Sequence, residues 1–247
     1  MKKIAITLLA VSLMCWSCKK ENSPVTPPPN PMDIVPLADH NEWRFVDSLY
    51  GSKLKNANRI HTESAMGHAY HSQGKTYESS IDSFKAYVSG RRTIRYGGSD
   101  VELFTINWYE SLPQSVPDSL ATLWLEHNES GGLYVFGFVQ GTRDTIISKS
   151  LDLKYPVTVG DSWVRPGAYY YYETNRWEVS ADTMTCSSTS EQFATLQRTY
   201  SAVVYRGKSG DFEFSEYYVP NLGLVGSISE FSGTIQSKSV LKSCTLH

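Results

Sequence analysis

Gly160-Asp161-Ser162 is the first triplet to weigh for chemistry, because a serine in a Gly-Asp-Ser turn is the nucleophile of one group of hydrolases. Such a serine needs a histidine to take its proton and an acid to orient that histidine. The only histidine beyond His127 is His247, and no Gly-x-Ser-x-Gly elbow occurs. The triplet therefore reads as a turn ahead of a strand carrying Trp163. His61, His68 and His71, with Glu63, form the one histidine cluster. Their spacing is not that of a His-Glu-x-x-His helix, and on a strand His68 would face away from the other three. They read as a hydrophilic loop, and neither a metal nor a cofactor is expected. Arg91, Arg92 and Arg95 read as a solvated face. A glycosidase needs two acids about 5–10 Å apart, and the sequence singles out no such pair. Catalytic residues are accordingly expected to be absent.

Rings are the more promising material. Tyr169, Tyr170, Tyr171 and Tyr172 are consecutive, so on a strand alternate members face opposite sides of the sheet. One pair is a candidate ligand contact, stacking on a sugar or lining an apolar concavity. Cross-strand packing is the plainer use of the same rings.

The elements that would position these residues read as strands. Residues 93–96 and 101–106 alternate in character around a Gly97-Gly98 turn. Further runs rich in Tyr, Phe, Val and Thr cover 120–126, 133–139, 169–173, 193–205, 212–219 and 224–231. No stretch keeps a capped helical period. The expected fold is all-β: an antiparallel curved sheet, half-barrel or barrel-like. Pro36 and Trp43 recur as Pro156 and Trp163, and Tyr50 as Tyr170, all at an offset of 120 residues. Two related halves would produce this echo, and so would coincidence among common strand-opening residues.

Composition agrees with a folded β domain. The 247 residues are 40% apolar, 19% charged and 13% aromatic, which excludes a disordered chain and a coiled coil. A pI near 6.3 gives no footprint for nucleic acid.

The N-terminus sets the compartment. Lys2 and Lys3 precede an apolar run over residues 4–14, too short to span a bilayer and followed by Cys15 and Cys18. Ser17 before Cys18 resembles the cleavage site of a bacterial lipoprotein signal, and the Ser-Cys-Lys-Lys-Glu run at 17–21 resembles lipoproteins of Bacteroidota. That resemblance implies a signal peptide over 1–17, lipid (palmitate) on Cys18 and a place in the cell envelope, at the outer membrane. The leaflet and face stay open. Pro24, Pro27, Pro28, Pro29, Pro31 and Pro36 make residues 18–36 a tether, which in polyproline II form reaches about 55 Å. A single β domain then spans 37–247. Removing Lys2 and Lys3 with the signal takes the formal charge from −2 to −4. Cys186 and Cys244 remain in the domain. An oxidising envelope permits a disulfide between them, and two buried thiols are the alternative.

Two motifs extend the resemblance. Pro156-Val157 with Gly160 and Trp163 is similar to the P-[LV]-x-x-G-x-x-W opening of uncharacterised Bacteroidota lipoproteins, and residues 217–225 to their YY-x-P-x-x-G-L-V strand-turn-strand. His40 replaces the glycine in the earlier echo. The resemblance implies a curved antiparallel sheet and brings no activity with it. The expected role is a non-catalytic binding or structural module, anchored through its lipid and meeting a glycan, a lipid or an envelope protein. The competing expectation is a glycan-directed hydrolase with convergent acids in a cleft.

Overall fold

A computed structural model describes residues 33–50, 81–112, 122–140, 143–171, 176–209 and 212–247. Twelve strands follow one another: β1 (Glu42–Leu49), β2 (Ile81–Tyr96), β3 (Ser99–Leu112), β4 (Thr122–Glu129), β5 (Gly132–Gln140), β6 (Arg143–Lys154), β7 (Ser162–Tyr171), β8 (Arg176–Ala194), β9 (Thr199–Ser209), β10 (Phe212–Val219), β11 (Gly223–Phe231) and β12 (Thr234–Thr245). They form one antiparallel sheet in the order β6-β5-β4-β3-β2-β1-β12-β11-β10-β9-β8-β7. Chain order runs round the sheet, so it curls into a nearly closed barrel. Among the described residues every neighbour is laddered except β6 and β7, which meet as its two edges. No helix occurs among the described residues.

The expected all-β architecture is thus the one observed. One expected run is corrected: 193–205 is not a single strand. Thr195 turns the chain, its N–H and its hydroxyl both donating to Arg198 O at 2.9 and 2.8 Å, and separates β8 from β9. The Asn221 turn has the anticipated form, with Asn221 at φ 62° and Gly223 at φ 91°.

The echo is structural. β1–β6 and β7–β12 are two six-stranded meanders, and the bonds at the start of each repeat. Asn41 N–H donates to Ala38 O at 3.1 Å, as Asp161 N–H does to Thr158 O at 3.0 Å. His40 N–H donates to Val88 O, as Gly160 N–H does to Cys186 O; Val88 and Cys186 in turn donate to Asn41 O and Asp161 O. His40 at φ 69° and Gly160 at φ 93° share the left-handed backbone that this corner requires. A bulge follows each receiving residue, between Val88 and Gly90 and between Cys186 and Ser188.

Alternation decides what fills the barrel. In β1 Trp43, Phe45 and Asp47 are buried while Arg44 between them is exposed. Trp43 packs on Trp108 with centroids 6.2 Å apart, and Phe45 stacks on Phe84 at 4.8 Å. Tyr205 meets Trp163 edge-on at 5.4 Å and Tyr218 at 5.6 Å. Each such ring contributes about 1.5–3 kcal/mol by leaving water, and together they occupy the interior. Ile34 and Val35, fully buried ahead of β1, pack on the same core.

Cys186 and Cys244 are free thiols. The permitted disulfide is not formed, because β9, β10 and β11 lie between their strands, β8 and β12. At about 4.8 Å per strand the two are separated along the sheet by roughly 19 Å, well beyond the Cα reach of a disulfide.

Candidate functional site

The acids that the sequence did not single out converge inside the barrel from both halves, around the β6–β7 seam. In β10 Phe214, Glu216 and Tyr218 share one face, so Glu216 points where the rings point. Arg165 enters from β7, and its guanidinium forks onto Glu216: Nη1 donates to Oε2 at 2.9 Å and Nη2 to Oε1 at 3.3 Å. Arg165 Nε lies 3.8 Å from Asp152 Oδ1 of β6, an ion pair without a hydrogen bond. Glu126 of β4 accepts the Trp108 indole N–H at 2.6 Å. Asp182 of β8 is buried directly opposite Arg165 in the ladder. Among the described residues Arg165 is the one buried cation, set among Glu126, Asp152, Asp182 and Glu216.

Burial governs the protons here. Desolvation raises Asp152 to about 7 against the pull of Arg165, and Glu216 adds to the rise. Desolvation, then the charge of Asp152, puts Glu126 well above the usual carboxylate range despite the Trp108 bond. Burial opposes the charge on Arg165, but Glu216 and Asp152 outweigh it and hold the guanidinium above its ordinary value. Both oxygens of Asp152 and Oε2 of Glu126 have no hydrogen-bond partner among the described residues. These are acids with the pKa behaviour of a catalytic pair, yet Glu126 and Asp152 have no exposed surface at all.

A second feature lies on the outer face of the second half. A groove of about 470 Å³ crosses β8 to β11. Thr183, Thr185, Ser215, Arg206, Lys208, Glu213, Tyr217 and Glu230 line it together with the apolar Phe214 and Ile228. Lys208 Nζ donates to Glu213 Oε1 at 2.7 Å, which holds the Glu213 carboxyl below its usual range. Tyr217 is stacked on Phe193 at 4.1 Å, and its hydroxyl donates to Glu191 at 3.4 Å. The groove thus offers charged groups of both signs, hydroxyls and the rim of a fixed ring.

The sequence candidates fall as follows. Asp161 accepts the Thr158 N–H at 3.1 Å and Ser162 donates to Met184 O at 2.8 Å, so the Gly-Asp-Ser triplet is a turn entering β7. Arg91 pairs with Glu102 and Asp39, and Arg95 with Asp100, all on the surface. Tyr169, Tyr170 and Tyr171 end β7 opposite Glu178, Trp177 and Arg176. Their side chains, and Tyr172 entirely, lie outside the described part, as do Cys18, His61, Glu63, His68 and His71. No group of three or more metal-ligating side chains occurs among the described residues.

No family model matches the chain, and no curated protein sequence matches it. Two solved structures are similar. One is a candidate lipoprotein of Parabacteroides distasonis ATCC 8503: 11% identity, TM-score 0.39, 87% of this chain and 99% of that one covered. The other is a candidate exported protein with a YmcC-like fold from Bacteroides fragilis NCTC 9343: 11% identity, TM-score 0.41, 84% and 98% covered.

Proposed function

We propose that the chain is a lipid-anchored cell-envelope protein, held at the outer membrane through Cys18, and that its barrel is a non-catalytic module binding a glycan in the outer groove of β8 to β11. The observation that carries the reading is the division between the barrel's interior and its outer face. Its acids are sealed inside, while its open polar groups, Arg206 and Glu230 with the hydroxyls of Thr183, Thr185 and Ser215, line a groove reachable from solvent. A ligand pocket fixes orientation through a few placed charged groups and hydroxyls beside apolar and aromatic surface, and a sugar offers hydroxyls and an apolar ring face to both. An apolar ligand is disfavoured because Trp43, Phe45, Phe84, Tyr205 and Tyr218 already occupy the interior. A glycan-directed hydrolase would use acids tuned as Glu126 and Asp152 are, but no substrate reaches carboxyls with zero exposure.

Two experiments test the parts. Palmitate labelling of growing cells is expected to mark the wild-type chain and not Cys18→Ser; label on the variant would remove Cys18 as the anchor. The purified full chain is expected to retain defined glycans on an array, with signal lost in Arg206→Ala and Glu230→Ala. Retention unchanged by both substitutions would remove the groove.

A further inference from the structure

Among the described residues the seam between β6 and β7 is the one junction of the barrel without a backbone ladder. Side chains cross it instead. The Trp163 indole N–H donates to Asp152 O at 2.9 Å, Lys154 Nζ reaches Asp161 Oδ2 at 2.9 Å, and the Tyr205 hydroxyl donates to Lys154 O at 2.8 Å. At its centre Asp152 faces Arg165 across the gap. We propose that this seam is a proton-dependent clasp, closed while the Asp152 carboxyl is protonated and released toward solvent when it ionises.

Charge and geometry carry the inference. Asp152 is completely buried on an edge strand, and neither of its oxygens accepts a hydrogen bond from any described residue. The charged and titratable groups acting on it are Arg165 from β7, Glu126 from β4, and Glu216 and Tyr218 from β10; beside these, the Trp108 indole from β3 holds Glu126, Asp182 of β8 lies opposite Arg165, and the Tyr205 hydroxyl from β9 holds Lys154 O. Arg165 is already forked onto Glu216. A second negative charge beside it is therefore poorly compensated, in a place where desolvation is most costly. Water relieves that cost, and parting β6 from β7 breaks no ladder bond. The rise of the Asp152 pKa toward 7 agrees in direction. With an ordinary carboxyl in the open form and one near 7 in the closed form, opening grows up to about 50-fold between pH 5 and pH 7 and levels off above pH 8.

Amide hydrogen exchange on the full chain reads this directly. Protection of β6 and β7 amides, relative to those of the laddered β12–β1 junction, is expected to fall by up to that factor from pH 5 to pH 7 in wild type. It should stay flat in Asp152→Asn, which mimics the protonated carboxyl. A flat wild-type ratio, or a pH step that survives in Asp152→Asn, overturns the clasp. Should the variant misfold, carboxyl ¹³C NMR of wild type decides: a midpoint near 7 for Asp152 supports the proposal, and one below 5 ends it.

Discussion

Arg165 occupies in the second half of the barrel the place that Phe45 holds in the first. Each lies two residues beyond the tryptophan of its opening strand, Trp163 or Trp43, and each is fully buried. Phe45 sits at the β12–β1 junction, where a ladder joins the halves, and it stacks on Phe84. Arg165 sits on the edge strand facing β6, across a seam with no ladder among the described residues, and it pairs with Glu216 and Asp152. The halves are built alike and joined by different chemistry.

Removing the guanidinium should therefore be severe. Arg165→Met leaves Glu216 buried without its partner, and a loss of about 3–5 kcal/mol is expected in urea unfolding. Adding Glu216→Gln should recover much of it, since the stranded charge, more than the lost attraction, sets the cost. A double variant no more stable than Arg165→Met would contradict this account of the core.

Stability should also depend on pH with a definite sign. The folded state raises Asp152 from the ordinary 3.8 to about 7, so the folded chain binds the extra proton. The resulting stability is fully present below about pH 4, is lost as pH rises through 7, and is flat beyond. Glu126 acts in the same direction. Asp152→Asn is expected to be more stable than wild type by about 4 kcal/mol at pH 8, with most of the difference gone at pH 4. Chemical denaturation at the two pH values checks it.

The repeat makes a further prediction at its shared corner. His40 adopts a left-handed backbone that Gly160 adopts without strain. Nothing lies within 4 Å of the place a Cβ would take on Gly160, so Gly160→Ala isolates the backbone cost, expected at about 1 kcal/mol. His40→Gly should move stability the other way by a smaller amount. Thermal unfolding of both variants measures the pair.

Much of the fold was legible because strand periodicity is local. The Gly97-Gly98 hairpin, the Asn221 turn and the Trp163 strand follow from residues within a few positions of one another. β6, β8 and β12 were not foreseen. Their serine, threonine and lysine-rich stretches, such as residues 234–239, lack the aromatic signature; β6 and β8 are paired by the strands next to them in sequence, and only β12 also pairs with a distant strand, β1. The interior cluster escaped for a related reason. Glu126 and Glu216 sit at the parity of Trp124 and of Phe214 and Tyr218, a local sign of burial, but that Asp152 and Arg165 would meet them depends on how the sheet curls. The outer groove left no sequence signal, since it arises from four strands brought side by side.

A glycan bound as proposed meets the outside of the second half rather than the barrel's interior. Amide and indole NMR shifts of the full chain, titrated with a glycan retained on the array, test that most directly. The expected result is a set of shifts at Thr183, Thr185, Arg206, Ser215 and Glu230, with the Trp108 indole at Glu126 unmoved. Shifts concentrated at the Trp108 and Trp163 indoles, with the groove silent, would place the ligand inside the barrel and contradict the account.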